Sequence, residues 1–146
     1  MNRELDFTEY GHSLTQSIFA DNILLVLVRY QRRRRVGRED KPVLLEARGF
    51  LSRIIEAERI FDNPSPSQSS MANARLFDEA VNSISIPLTS KTDFVNYIQK
   101  IESTVEKMLS GSKPSQEEIS SFEEFFTNYG ALQHQRSNVE LEIAAV

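Results

Sequence analysis

IFADNILLVLVRYQRRRRVGREDK, residues 18–41, sets the most apolar run of the chain against its densest positive charge. On a helical wheel Ile18, Phe19, Ile23, Leu24, Leu25, Val26, Leu27 and Val28 point in nearly every direction. A helix apolar on one stripe lies on a surface, whereas one apolar all round is enclosed by protein or lipid. A membrane span takes about 20 mostly apolar residues, and this run is about half that. Asp21 and Asn22 also interrupt it. The stretch therefore reads as a central core helix. Ser13-Leu-Thr-Gln16 has the form of a capping box, which sets the start near Ser13, and Gly37 is a natural stop. Asp21 shares a face with Leu24, Leu25 and Val28, which places it at the rim of the core or beside an arginine of the next helix.

The second half of the stretch is basic. Arg29, Arg32, Arg33, Arg34, Arg35, Arg38 and Lys41 are seven of the chain's 17 basic residues, packed into 13 positions. Four consecutive arginines cover a whole helical turn, so no helix could bury them all. Cations offset the dipole at a helix C-terminus by about 0.3–1 kcal/mol each, which accounts for one or two of them. The planar guanidinium fork suits phosphate, so RNA, DNA or another polyanion is one candidate ligand. Acidic protein surface is the other, including this chain's own Glu117, Glu118, Glu123 and Glu124.

Outward from the stretch, the rest of the chain reads as amphipathic helices. Residues 1–12 form a polar lead-in with Leu5, Phe7 and Tyr10 as anchors. Gly37–Asp40 is a turn, with Asp40 as N-cap and Pro42 in the first turn of a second helix. Its apolar positions are Val43, Ala47, Phe50, Leu51, Ile54 and Phe61. Such a short turn makes the first two helices antiparallel neighbours. Residues 62–70, with two prolines and four serines, form a loop. A third helix spans Met71 to Ile84, and Pro87 closes it. Ser90 and Asp93 open a fourth, in which Phe94, Ile98, Ile101, Val105 and Met108 repeat at four- and three-residue steps. That is the seam a helical bundle needs.

Gly111-Ser-Lys-Pro114 is the next break, and Ser115-Gln-Glu-Glu118 is a capping box opening a fifth helix. On it Ile119, Phe122, Phe125, Phe126 and Tyr129 share one aromatic face, opposite an acidic one. The face reads as core. Left exposed, Phe122, Phe125, Phe126 and Tyr129 would anchor a protein interface. Residues 131–146 fit either a sixth helix or, through Val139-Glu-Leu-Glu-Ile143, a strand; the all-helical context favours the helix. The expectation is an all-α, single-domain bundle of five to six helices around a central apolar helix, spanning residues 1–146.

Composition narrows the function. The chain is 40% hydrophobic and 26% charged, which excludes global disorder, and its net charge of −4 confines any nucleic-acid contact to the arginine cluster. It has no cysteine, which excludes disulfides, thiolate metal sites and cysteine nucleophiles. No signal peptide or membrane span is visible, which points to the cytoplasm. Glu9-Tyr-Gly-His12 has the Glu-x-x-His spacing of a di-iron bundle, but the residue three before His134 is Ala131. Neither histidine follows an arginine at the spacing of HEPN-type helical nucleases. Glycine-rich phosphate loops and nucleophile elbows are absent too. The sequence thus predicts a non-catalytic assembly subunit, without cofactor or metal, that self-associates or docks on a protein partner. The alternative is a small nucleic-acid-binding protein using Arg29–Lys41.

Overall fold

The computed structural model describes residues 3–61 and 68–145, and among these it holds five helices and no strand. They are α1 (Arg3–Arg33), α2 (Lys41–Phe61), α3 (Gln68–Ser83), α4 (Lys91–Ser110) and α5 (Gln116–Ala145). No described helix is long and apolar enough to cross a membrane.

Local sequence explains both ends of α4 and the start of α5. Ser90 has extended backbone and accepts the N–H of Asp93, whose carboxylate accepts from the backbone and hydroxyl of Thr89. At the other end of α4, Gly111 adopts φ +82, a left-handed conformation natural to glycine, and its N–H reaches the carbonyl of Met108. Ser115 and Glu118 form the reciprocal capping box: the Glu118 N–H donates to Ser115 Oγ at 3.1 Å, and the Ser115 N–H donates to Glu118 Oε1 at 2.8 Å. The C-terminal end of α3 is closed from outside, by Asn128 of α5 donating to the Ser83 carbonyl.

The core draws on all five helices. The α4 seam of Phe94, Ile98, Ile101, Val105 and Met108 is buried throughout, with Leu44, Ala47, Phe50, Leu51 and Ile54 of α2 and Phe122, Phe125 and Phe126 of α5. Phe126 rings lie near three others: Phe50 at 6.2 Å, Phe122 at 5.0 Å and Phe125 at 5.1 Å between centroids.

Helix α1 is not enclosed by the others. It packs mainly on α5, running antiparallel to it, and more narrowly on α2. Its buried face carries Ser13, Ser17, Ala20, Ile23, Val26, Leu27 and Tyr30. Small residues let the backbones approach closely: a Cβ on Gly130 would lie 3.2 Å from that of Ala20. The opposite face is open, with Ile18 and Leu25 half exposed at 51% and 50%. An all-round apolar helix thus occupies an edge of the bundle, and α2 and α5 each touch more helices than α1 does.

Other expectations shift for local reasons. Ser13 does not cap α1, which starts at Arg3; its buried hydroxyl instead accepts from Arg75 and donates to Glu140. The helix stops before Gly37, because Arg34 turns left-handed at φ +61 while its N–H still reaches the Tyr30 carbonyl. No separate sixth helix forms: α5 runs unbroken for 30 residues through Gly130. In the loop expected at 62–70, Gln68, Ser69 and Ser70 belong to α3, and residues 62–67 lie outside the described part of the chain.

Candidate functional site

The outward face of α1 carries Leu14, Ile18, Asp21, Leu25 and Val28, at successive steps of four, three, four and three residues. This is the spacing of a helix-packing seam, yet nothing in the described chain covers it. Leu14, Ile18, Leu25 and Val28 are between 38% and 51% exposed. Asp21, at the middle, pairs with His134 of α5 at 3.3 Å rather than with an arginine. Leu141 of α5 is also half exposed, one helical step pair beyond the Asp21–His134 contact on the antiparallel helix. On its α2 side the ridge borders a groove lined by Ile18, Phe19, Asn22, Glu46, Gly49 and Arg53. Gly49 has no side chain to fill it, and no atom stands within 4 Å of where its Cβ would be.

The arginine cluster straddles the corner between α1 and α2. Two of its members are occupied: Arg29 holds the buried Asp40 carboxylate at 2.9 Å and Arg33 holds Glu39 at 3.0 Å. Asp40 does sit at the N-cap position of α2, but its side chain is spent on Arg29. Arg32, Arg34, Arg35, Arg38 and Lys41 are exposed and form no ion pair among the described residues. The acidic face of α5 does not meet them, since Glu117 pairs with Lys100 and Glu118 with Lys107. Arg34 instead lines a cleft of about 520 Å³ with Lys113, from the turn before α5. Lys113 is a neighbour that sequence spacing could not supply.

The aromatic stripe is core. Phe122, Phe125, Phe126 and Tyr129 are all 0% exposed, so in the folded chain they offer nothing to a partner. Phe50 of α2 supplies the contact that an interface would have supplied, lying 5.0 Å from the Tyr129 ring.

One polar cluster escaped the sequence reading. Glu79 of α3 is 1% exposed, with Arg136 of α5 at 2.5 Å, Arg75 of α3 at 3.3 Å and His12 of α1 at 3.8 Å. Burial alone would raise its pKa. The polar groups of His12 and Gln133 and the charges of Arg75 and Arg136 outweigh burial, leaving the carboxyl below its ordinary value. Gln133 is fully buried beside it. Burial and then the charge of Glu79 push the Tyr129 hydroxyl up, which keeps it neutral. A carboxylate held ionised by two guanidiniums is a poor proton acceptor, so the cluster ties α1, α3 and α5 together rather than serving as a general base.

Neither histidine stands in a metal-ligand set: among the described residues no three of His, Cys, Asp and Glu are grouped to hold an ion. The Glu79 cluster spans residues 12 to 136 on three helices, and no local signal could have revealed it. The outward ridge of α1 could have been found, because its seam spacing is in the sequence; all-round apolarity masked it. Comparison with known proteins assigns the chain to no family, for no family model matches it and no significant match is found among curated proteins or solved structures.

Proposed function

We propose that this chain is a helical assembly subunit that meets its partner through the outward ridge of α1 and the adjoining surface of α5. The observation that carries this reading is the uncovered seam of Leu14, Ile18, Leu25 and Val28. Single exposed apolar residues are ordinary. Four at packing periodicity on one helix face, spanning about 21 Å at the 1.5 Å helical rise, form a contiguous patch of the kind that marks a protein interface. The interface thus moves from the aromatic face of α5 to α1.

The test isolates the tagged chain from the cells that make it, beside an Ile18→Glu/Leu25→Glu variant. Both positions are half exposed, so the variant is expected to keep its circular dichroism spectrum and its melting temperature within about 3 °C. Wild type should carry a stoichiometric companion chain, its own copy or another, which the variant loses at least about tenfold. A companion retained by the variant, or none with either protein, would contradict the reading.

The second reading, polyanion binding, rests on the five exposed cations without ion pairs and on Lys113 beside Arg34. Neutralising phosphates releases counterions, so the log of affinity falls with the log of salt at about −0.9 per phosphate on duplex DNA. In fluorescence polarisation with labelled oligonucleotides, Arg34→Ala/Arg35→Ala/Lys113→Ala is expected to flatten that slope by two to three phosphates' worth, roughly 1.8–2.7. No binding at low salt, or an unchanged slope, would remove this reading.

A further inference from the structure

We infer that the partner on the α1 ridge is a second copy of this chain, docked antiparallel about a two-fold axis through Asp21. The inference rests on the assembly reading above and names the occupant of the same surface.

Three observations favour a second copy. The first is that the ridge is nearly palindromic. Leu14 and Val28 each lie seven residues from Asp21, while Ile18 and Leu25 lie three and four residues from it. Turning a second α1 about Asp21 therefore sets Leu14 against Val28 of the other copy and Ile18 against Leu25. Apolar side chains meet apolar ones along the whole seam, as an isologous contact requires.

The second observation is charge. Asp21 and His134 stand 3.3 Å apart at the centre of the patch. With the axis at Asp21 the two carboxylates meet there, and each copy's His134 stands beside them to offset the like charge. Arg29, Arg32 and Arg33 fall in the last third of α1, so antiparallel docking keeps the two basic ends apart, whereas parallel docking would set them side by side.

The third observation is size. From residue 11 to residue 33 the α1/α5 face runs about 35 Å, at 1.5 Å per residue. Two adjacent helices make it about 20 Å wide, so each copy offers on the order of 700 Å². A standard interface takes about 800 Å² from each partner. The face is thus of dimer size.

The absence of cysteine in the native sequence makes the register directly testable. Single cysteines at Asp21, Val28 and Leu14 would be exposed to a mild oxidant in the purified full chain, after their circular dichroism spectra are matched to wild type. Asp21→Cys is expected to form a disulfide dimer rapidly. Val28→Cys alone is not, because its own copy lies about 21 Å away along the seam. Mixing Val28→Cys with Leu14→Cys should restore cross-linking. A parallel pair would cross-link Val28→Cys with itself, and chance collision would cross-link all three alike; either result, or no cross-linking at Asp21, overturns the inference. His134→Glu supplies a readout without cysteines: four acidic groups at the axis should weaken dimerisation at least about tenfold, and undiminished dimerisation would count against the inference. A purified chain that fails to dimerise, while a companion of different sequence is still lost on Ile18→Glu/Leu25→Glu, would refute the second copy and leave the assembly reading standing.

Discussion

Phe126→Ala is expected to destabilise the chain by about 3–5 kcal/mol, the range for removing a buried phenylalanine. Phe126 is 0% exposed and central to the aromatic cluster, with the rings of Phe50, Phe122 and Phe125 within 6.2 Å. Those neighbours come from both α2 and α5, so collapse around the vacancy would have to move two helices at once. The loss belongs near the upper end of the range for that reason. The edge-to-face contact with Phe125 adds about 0.5–1.5 kcal/mol beyond area burial. For a chain of this length, about 4 kcal/mol corresponds to a fall in melting temperature of roughly 12–16 °C. Urea denaturation followed by circular dichroism measures it. A loss below about 1 kcal/mol would show that the ring is not enclosed as described. Phe126→Glu should prevent folding outright, and so cannot serve as an interface variant.

Glu79→Ala is the second large effect, expected at about 2–4 kcal/mol. The carboxylate is buried while its arginines are partly exposed, Arg75 at 26% and Arg136 at 31%. Removing it strands two guanidiniums against an apolar wall, although water can reach them in part. That holds the expected loss below the full penalty for an isolated buried charge. Glu79→Gln keeps the shape and one acceptor, and should cost less than the alanine. The pH dependence has a definite sign. The folded-state pKa of Glu79 is lowered from 4.5, so its ionised form contributes stability at any pH above that value. The contribution is lost as pH falls below about 4.5 toward the folded-state value. Wild type should therefore lose stability through that acid window more steeply than Glu79→Ala. Parallel curves for the two proteins would contradict the account of the cluster.

What could be read in the sequence was local. Ser90 with Asp93, Ser115 with Glu118 and the αL glycine Gly111 act within one turn of chain, and each caps a helix where its residues indicate. The seam from Phe94 to Met108 is legible because α4 has one apolar face, and that face is buried. Where two apolar faces compete, periodicity loses its power. Around Ile18–Val28 it cannot say which face α5 will cover, and it is Ala20, beside Gly130, that faces inward while Ile18 and Leu25 face out. Gly130 lies within α5, where its small size serves close packing against Ala20 and the helix continues. The arginine cluster was legible as exposed charge, but its division into paired Arg29 and Arg33 and unpaired neighbours depends on Glu39 and Asp40 folding back from the turn. Nothing in the residues around Glu79 marks it as buried. Only the arrival of Arg136 and His12 from other helices makes it a buried tie.

The ridge on α1 is the centre of the functional account, and sedimentation equilibrium of the purified chain addresses it most directly. Wild type and Ile18→Glu/Leu25→Glu would be compared from about 1 to 100 μM, the range in which an interface of this size commonly assembles. The account predicts a wild-type mass rising to twice 16.7 kDa, with the variant remaining at the single-chain mass and an unchanged helical spectrum. A wild type that stays at 16.7 kDa throughout would contradict the second copy, and a variant that assembles as well as wild type would contradict the ridge as the interface.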